Sequence, residues 1–114
     1  MNTDGAAALT LDSWVKANDI SQVNFMKIDV DGHEYSILSG AKFILKTFKP
    51  QILMELAPYV FPTPSEFDGL ISLLNDSGYK IMDTDTKKEL PSDPIELRKL
   101  IPDGSSKNVL LHSW

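Results

Sequence analysis

Apolar residues change period several times along the chain, and each change marks an element. Leu11, Trp14 and Val15 recur at i, i+3 and i+4 behind Thr10, a good capping residue, so a short helix is expected near 11–18 after a loose lead-in over 1–9. Phe25 to Val30 is apolar on both alternating faces except at Lys27 and Asp29, the pattern of a strand covered on both sides in a parallel sheet. From His33 to about Phe48, Leu38, Ala41, Leu45 and Phe48 repeat at helical spacing with Ile37 and Ile44 beside them. Pro50 then stops the run, which predicts a second helix. Gln51 to Leu56 surrounds a single Glu55 with Ile52, Leu53, Met54 and Leu56 before Pro58, and reads as a second buried strand.

Thr63-Pro64-Ser65-Glu66 combines an N-cap, a proline at the first helical position and a glutamate at the third, so a third helix starts there. Phe67, Leu70, Ile71 and Leu74 form its inner face, and Gly78 stands where a left-handed residue ends a helix. Tyr79 to Asp83 is a third strand. Residues 84–107 are rich in Asp, Lys, Pro and Ser, with Ile95, Leu97, Leu100 and Ile101 as apolar anchors. They predict a long excursion with one helical turn. Val109 to His112 returns as the last strand. Helices alternating with strands imply an α/β fold of about four strands joined by right-handed crossovers.

A length of 114 residues fits one domain. The 11 basic and 16 acidic residues give −5 with no basic cluster, which argues against a nucleic-acid partner. No cysteine is present, so disulfides and thiolate metal sites are excluded, and no metal site is expected. No apolar run approaches the roughly 18 residues that span a bilayer, and Met1-Asn2-Thr3-Asp4-Gly5 lacks the regions of a signal peptide. A cytoplasmic protein without membrane contact is the expectation.

The candidate chemistry lies in Asp29-Val30-Asp31-Gly32-His33-Glu34, an acidic run delivered by a strand into the start of a helix. Ligands of open α/β sheets bind beyond the carboxyl ends of the strands. Asp31 and Glu34 also fit a helix capping box, and Lys27 shares a strand face with Asp29 and would pair with it. Glu55 ends the next strand as Asp29 ends the first. If the two strands are neighbours about 4.8 Å apart, the carboxylates converge on one crevice. An imidazole side chain can take up or give a proton near neutral pH, so His33 is a candidate general base, whereas His112 is a weaker one. Trp14 and Trp114 read as core or edge packing.

The run Asn24-Phe25-Met26-Lys27-Ile28-Asp29-Val30-Asp31-Gly32-His33-Glu34, with Leu11-Asp12, Ile37-Leu38-Ser39-Gly40-Ala41 and Lys49-Pro50-Gln51-Ile52-Leu53-Met54-Glu55, resembles the C-terminal half of the FkbM-type S-adenosylmethionine-dependent methyltransferases. Asp31 stands where family members commonly carry Glu. The resemblance covers about residues 10–59. It implies a partial Rossmann-like methyltransferase sheet, mostly parallel with an antiparallel last strand, flanked by helices and formed by the fourth to seventh strands of the complete fold. It also implies S-adenosylmethionine as cofactor, with Asp29 and Asp31 on the cofactor side, and O-methylation of a small-molecule or sugar hydroxyl. Asp29, His33 or Glu55 would act as base.

The family's cofactor pocket uses a glycine-rich turn, and no Gly-x-Gly occurs in these 114 residues, so the cofactor site is expected to be incomplete here. Two other functions fit parts of the pattern. A half-domain acting as a binding or assembly module would expose the strand edge at Phe25–Val30 and self-associate through it. Asp29-Val30-Asp31-Gly32 also resembles the nucleophile loop of haloacid-dehalogenase-type phosphatases, with Asp29 attacking phosphorus and Asp31 as general acid beside magnesium. His33 stands there in place of the usual Thr.

Overall fold

The computed structural model describes residues 10–114; the lead-in expected over 1–9 lies outside the described residues. Thr10 caps helix α1 (Leu11–Ala17), its side-chain oxygen accepting from the Ser13 amide at 3.1 Å. Strand β1 (Phe25–Ile28) follows and ends two residues before Val30. The single helix expected over 33–48 is two, α2 (Glu34–Ser39) and α3 (Lys42–Thr47). Asp12 causes the break to hold. Its carboxylate accepts from the amides of Phe43 at 2.9 Å and Ile44 at 3.0 Å, capping α3 where its own N-cap, Ala41, has no side chain able to do so. Gly40, at the junction, lies so close to the Thr10 side chain that a Cβ would be crowded.

Strand β2 (Gln51–Leu56) leads through a single 3-10 turn at Pro58–Val60 into helix α4 (Pro64–Asp76). Of the capping box expected at Thr63 the N-cap half is present, its hydroxyl accepting from the Glu66 amide at 3.3 Å. The helix ends at Gly78, φ +83°, where Tyr79 N donates to the Leu74 carbonyl at 2.9 Å and Gly78 N to that of Asn75 at 3.1 Å, a Schellman pair. Strand β3 (Lys80–Asp83) comes next. Helix α5 (Pro94–Leu100) is longer than the one turn expected. Asp93 caps it and Pro94 opens it, the same signature that starts α4. Only Leu97 and Ile101 of the four expected anchors are buried; Ile95 and Leu100 face solvent. Strand β4 (Lys107–His112) closes the chain.

The sheet order is β1-β2-β4-β3, with β1 and β2 parallel and β4 antiparallel to both of its neighbours. The last strand is therefore antiparallel, as expected, and it inserts between β2 and β3. Burial alternates along the strands, save at the end of β4 where Leu111 and His112 are both buried. Ile28, Ile52, Met54, Leu56, Ile81, Val109 and Leu111 join Val15, Leu38, Leu45, Phe67, Leu70 and Leu97 in one core, to which all five helices contribute. Among the described residues the opposite face is open. Phe25 is 54% exposed, Lys27, Glu55 and Asn108 are exposed, and Leu53, Met82 and Leu110 are only half-buried. The strand expected to be covered on both sides is thus covered on one. Trp14 is exposed rather than packed in the core, and the exposed Trp114 stacks on His112 with ring centroids 4.0 Å apart.

Candidate functional site

Asp29 follows the last residue of β1, and Glu55 is the penultimate residue of β2. Because β1 and β2 are parallel with Ile28 beside Met54, one further step of the register sets Asp29 beside Glu55. The convergence expected from sequence is present. Both carboxylates line a cavity of about 470 Å³ together with Lys27, Leu53, Thr84 and Asn108. A smaller cavity of about 120 Å³ shares them and adds Asp31, Glu34, Tyr59 and Ser106. Ser106 donates its hydroxyl hydrogen to Glu55 Oε2 at 2.6 Å, which fixes that carboxylate at the crevice wall.

The Lys27–Asp29 pair expected from the strand period does not form among the described residues. Both side chains are exposed, so each is hydrated separately at little cost, and holding two flexible chains together would gain little. The capping box expected of Asp31 and Glu34 is also altered. Asp31 and Gly32 both adopt left-handed backbone, φ +48° and +95°, which moves Asp31 out of the helical turn and leaves His33 as an N-cap without a side-chain bond. Glu34, only 3% exposed, instead turns Oε1 back to accept from the Gly32 amide at 3.0 Å. Gly32 is required twice over, for its positive φ and because a Cβ would collide with the Val60 carbonyl.

His33 is exposed and lines neither cavity, so the fold does not bring it to Asp29 and Glu55. His112 is buried at the far end of β4, beside Lys80 of β3, with Nδ1 unpartnered. Among the described residues no group of three or more His, Asp or Glu side chains is arranged to hold a metal ion, and no helix is long and apolar enough to cross a membrane.

Sequence reasoning missed Thr84, Asn108, Ser106 and Tyr59. Asn108 reaches the site because β4 pairs antiparallel with β2, setting Asn108 opposite Glu55. Thr84 is held there by its own bonds to the Asn108 carbonyl, 3.0 Å from both its amide and its hydroxyl. Asp83 anchors this wall. Its Oδ1 accepts from the Asp85 amide at 2.9 Å and its Oδ2 from Lys107 Nζ at 3.0 Å, and the Asp85 bond first and the Lys107 bond next hold its carboxyl below the usual carboxylate range.

Carboxylates at the ends of adjacent parallel strands, over a cavity and beside an inserted antiparallel strand, accord with the match of the FkbM methyltransferase domain to residues 2–81. The chain belongs to the FkbM methyltransferase family. No curated protein and no solved structure gives a significant match. Methyl transfer is the chemistry of the family, and S-adenosylmethionine its typical cofactor. Gly32, in the turn after β1, is packed against Val60, and the 114 residues contain no Gly-x-Gly turn of the kind that cradles a nucleoside phosphate.

Proposed function

We propose that this chain is the acceptor-side half of a Rossmann-like, S-adenosylmethionine-dependent methyltransferase, a single unit that lacks the glycine-rich half, and that the group methylated is a hydroxyl of a small molecule or sugar. The observation that carries this reading is the pairing of Asp29 and Glu55 over one cavity. Its volume of about 470 Å³ falls within the roughly 300–1,000 Å³ typical of small-molecule sites. Leu53 offers apolar floor, while Asn108 and Lys27 offer donors that would orient a hydroxylated ligand. Glu55, held by Ser106, or Asp29 would accept the acceptor's proton, and alignment of the hydroxyl supplies most of what such a reaction needs from this side. Asp31, one turn beyond β1, belongs with Asp29 on the cofactor side. His33 takes no part in this assignment.

The test is a chimaera joining this chain to the glycine-turn half of an active FkbM-type enzyme. Label from S-adenosylmethionine is expected on a hydroxyl acceptor, and Asp29→Asn or Glu55→Gln is expected to lower the rate by about 100-fold. A folded chimaera that binds S-adenosylmethionine yet labels no hydroxyl compound would count against the reading. The chain alone is expected to show no tight binding in a calorimetric titration with S-adenosylmethionine, and micromolar affinity would overturn the division into halves.

A further inference from the structure

The two edges of the sheet are treated differently. The β3 edge is covered by the segment that follows it: Met82 bridges to Glu89, Leu90 N donates to the Ile81 carbonyl at 2.7 Å, and Asp83 N donates to that of Lys88 at 2.9 Å. The β1 edge has no such cover among the described residues. It is the end strand of the order β1-β2-β4-β3, and its paired side faces only β2. Unpaired strand edges are templates for another strand.

We propose that the β1 edge pairs antiparallel with the β1 edge of a second copy of this chain. Three features select that occupant. The first is the phase of the strand. The Asn24 carbonyl accepts from Gln51 N at 3.0 Å, so the even residues of β1 turn their backbone groups toward β2 and the odd ones, Phe25, Lys27 and Asp29 beyond the strand end, turn theirs outward. A two-fold pairing must then set odd residues opposite odd residues.

The second feature is charge. With Ile28 opposite Ile28 of the second copy, Lys27 faces Asp29 of that copy and Asp29 faces its Lys27, so two ion pairs form by symmetry. Sliding by two residues one way sets Lys27 against Lys27; the other way sets Asp29 against Asp29, and the facing of Lys27 with Asp31 that this slide would bring is lost because Asp31 has left-handed backbone, φ +48°, beyond the strand. Opposite charges on facing strand positions stabilise and like charges destabilise, so one register is singled out. Both side chains are free of ion pairs among the described residues.

The third is an apolar groove of about 670 Å³ along this edge, lined by Leu11, Met26, Ile28, Val30 and Ile37 with Lys27 and Asp29 at its rim. In the same register Met26 faces Val30 of the second copy, so the even, apolar residues of one copy fill the groove of the other. The paired edge gives a continuous eight-stranded sheet related by a two-fold axis. Because the β3 edge is covered, this is also the edge at which further strands of a methyltransferase sheet would add. Resting on the function proposed above, the dimer and the complete enzyme exclude one another.

Sedimentation of the whole chain across a wide concentration range tests this. A reversible dimer is expected. Lys27→Glu or Asp29→Lys alone should weaken it about tenfold or more, while an equimolar mixture of the two variants, or the double variant Lys27→Glu/Asp29→Lys, should recover it to within about threefold. A wild-type monomer at every concentration, single reversals without effect, or no recovery in the mixture and the double variant would each overturn the proposal. Both positions are exposed, and circular dichroism checks that the variants fold. Sedimentation reads the dimer alone, so its failure leaves the methyltransferase reading standing, and an inactive chimaera leaves the dimer standing.

Discussion

Tyr79 is buried just after α4, and its hydroxyl donates to the Pro50 carbonyl at 2.6 Å, tying the end of that helix to the start of β2. Burial disfavours the phenolate and pushes the pKa from 10.0 up to about 12. The sign follows from linkage: the folded state holds the proton more tightly than the unfolded chain, so this contribution to stability is complete below pH 10.0 and is lost as pH rises through about 12. Tyr79→Phe should cost about 1 kcal/mol at neutral pH, and its difference from wild type in urea unfolding should shrink above pH 10. A difference constant to pH 12 would refute the assignment. At this scale the sequence was legible where neighbours along one strand or one turn decide the outcome. Asp29 and Glu55 could be placed together because both end apolar runs, whereas Lys27 and Asp29 stay apart because solvent competes for each. Trp14 was unreadable, since helical spacing does not tell which side of a short helix the neighbours cover.

At the scale of elements, the informative case is the stretch 33–48. Its apolar period runs unbroken across Ser39-Gly40-Ala41, yet α2 and α3 are separate, because the partner that stabilises the second start, Asp12, lies about 30 residues earlier in the chain. Asp12→Ala leaves the amides of Phe43 and Ile44 without their acceptor and should cost about 1–2 kcal/mol in urea unfolding, while Asp12→Asn should recover part of it. An unchanged midpoint in Asp12→Ala would show that water replaces the cap. Helix starts that are local were legible. Thr63-Pro64 marks α4, and Asp93-Pro94 carries the same signal for α5 but was lost among the polar residues around it. The insertion of β4 between β2 and β3 has no local signal, since strand order is fixed by pairings far apart in sequence. Asn108 and Ser106 therefore could not be assigned to the site before the fold was known.

Over the described residues the molecule is a sheet with one covered face and one covered edge, only 21 Å through its thinnest axis. Its stability must therefore be graded across the sheet. β2 and β4 have strands on both sides and bury Ile52, Leu56, Val109 and Leu111 completely or nearly so, whereas β1 is held along one side only. Hydrogen exchange makes this measurable within a single strand. The inward amides of Met26 and Ile28 are bonded in the sheet, and the outward amides of Phe25 and Lys27 have no partner among the described residues. In dilute solution Phe25 and Lys27 should exchange about 100-fold faster than Met26 and Ile28, with the β2 and β4 amides slower than either. In concentrated solution the proposed edge pairing supplies Lys27 with an acceptor, so the Lys27 amide should slow while the exchange of β4 stays unchanged. If Phe25 and Lys27 are as protected as Met54 in dilute solution, the β1 edge is already covered within one chain, and neither a second copy nor further methyltransferase strands can add there.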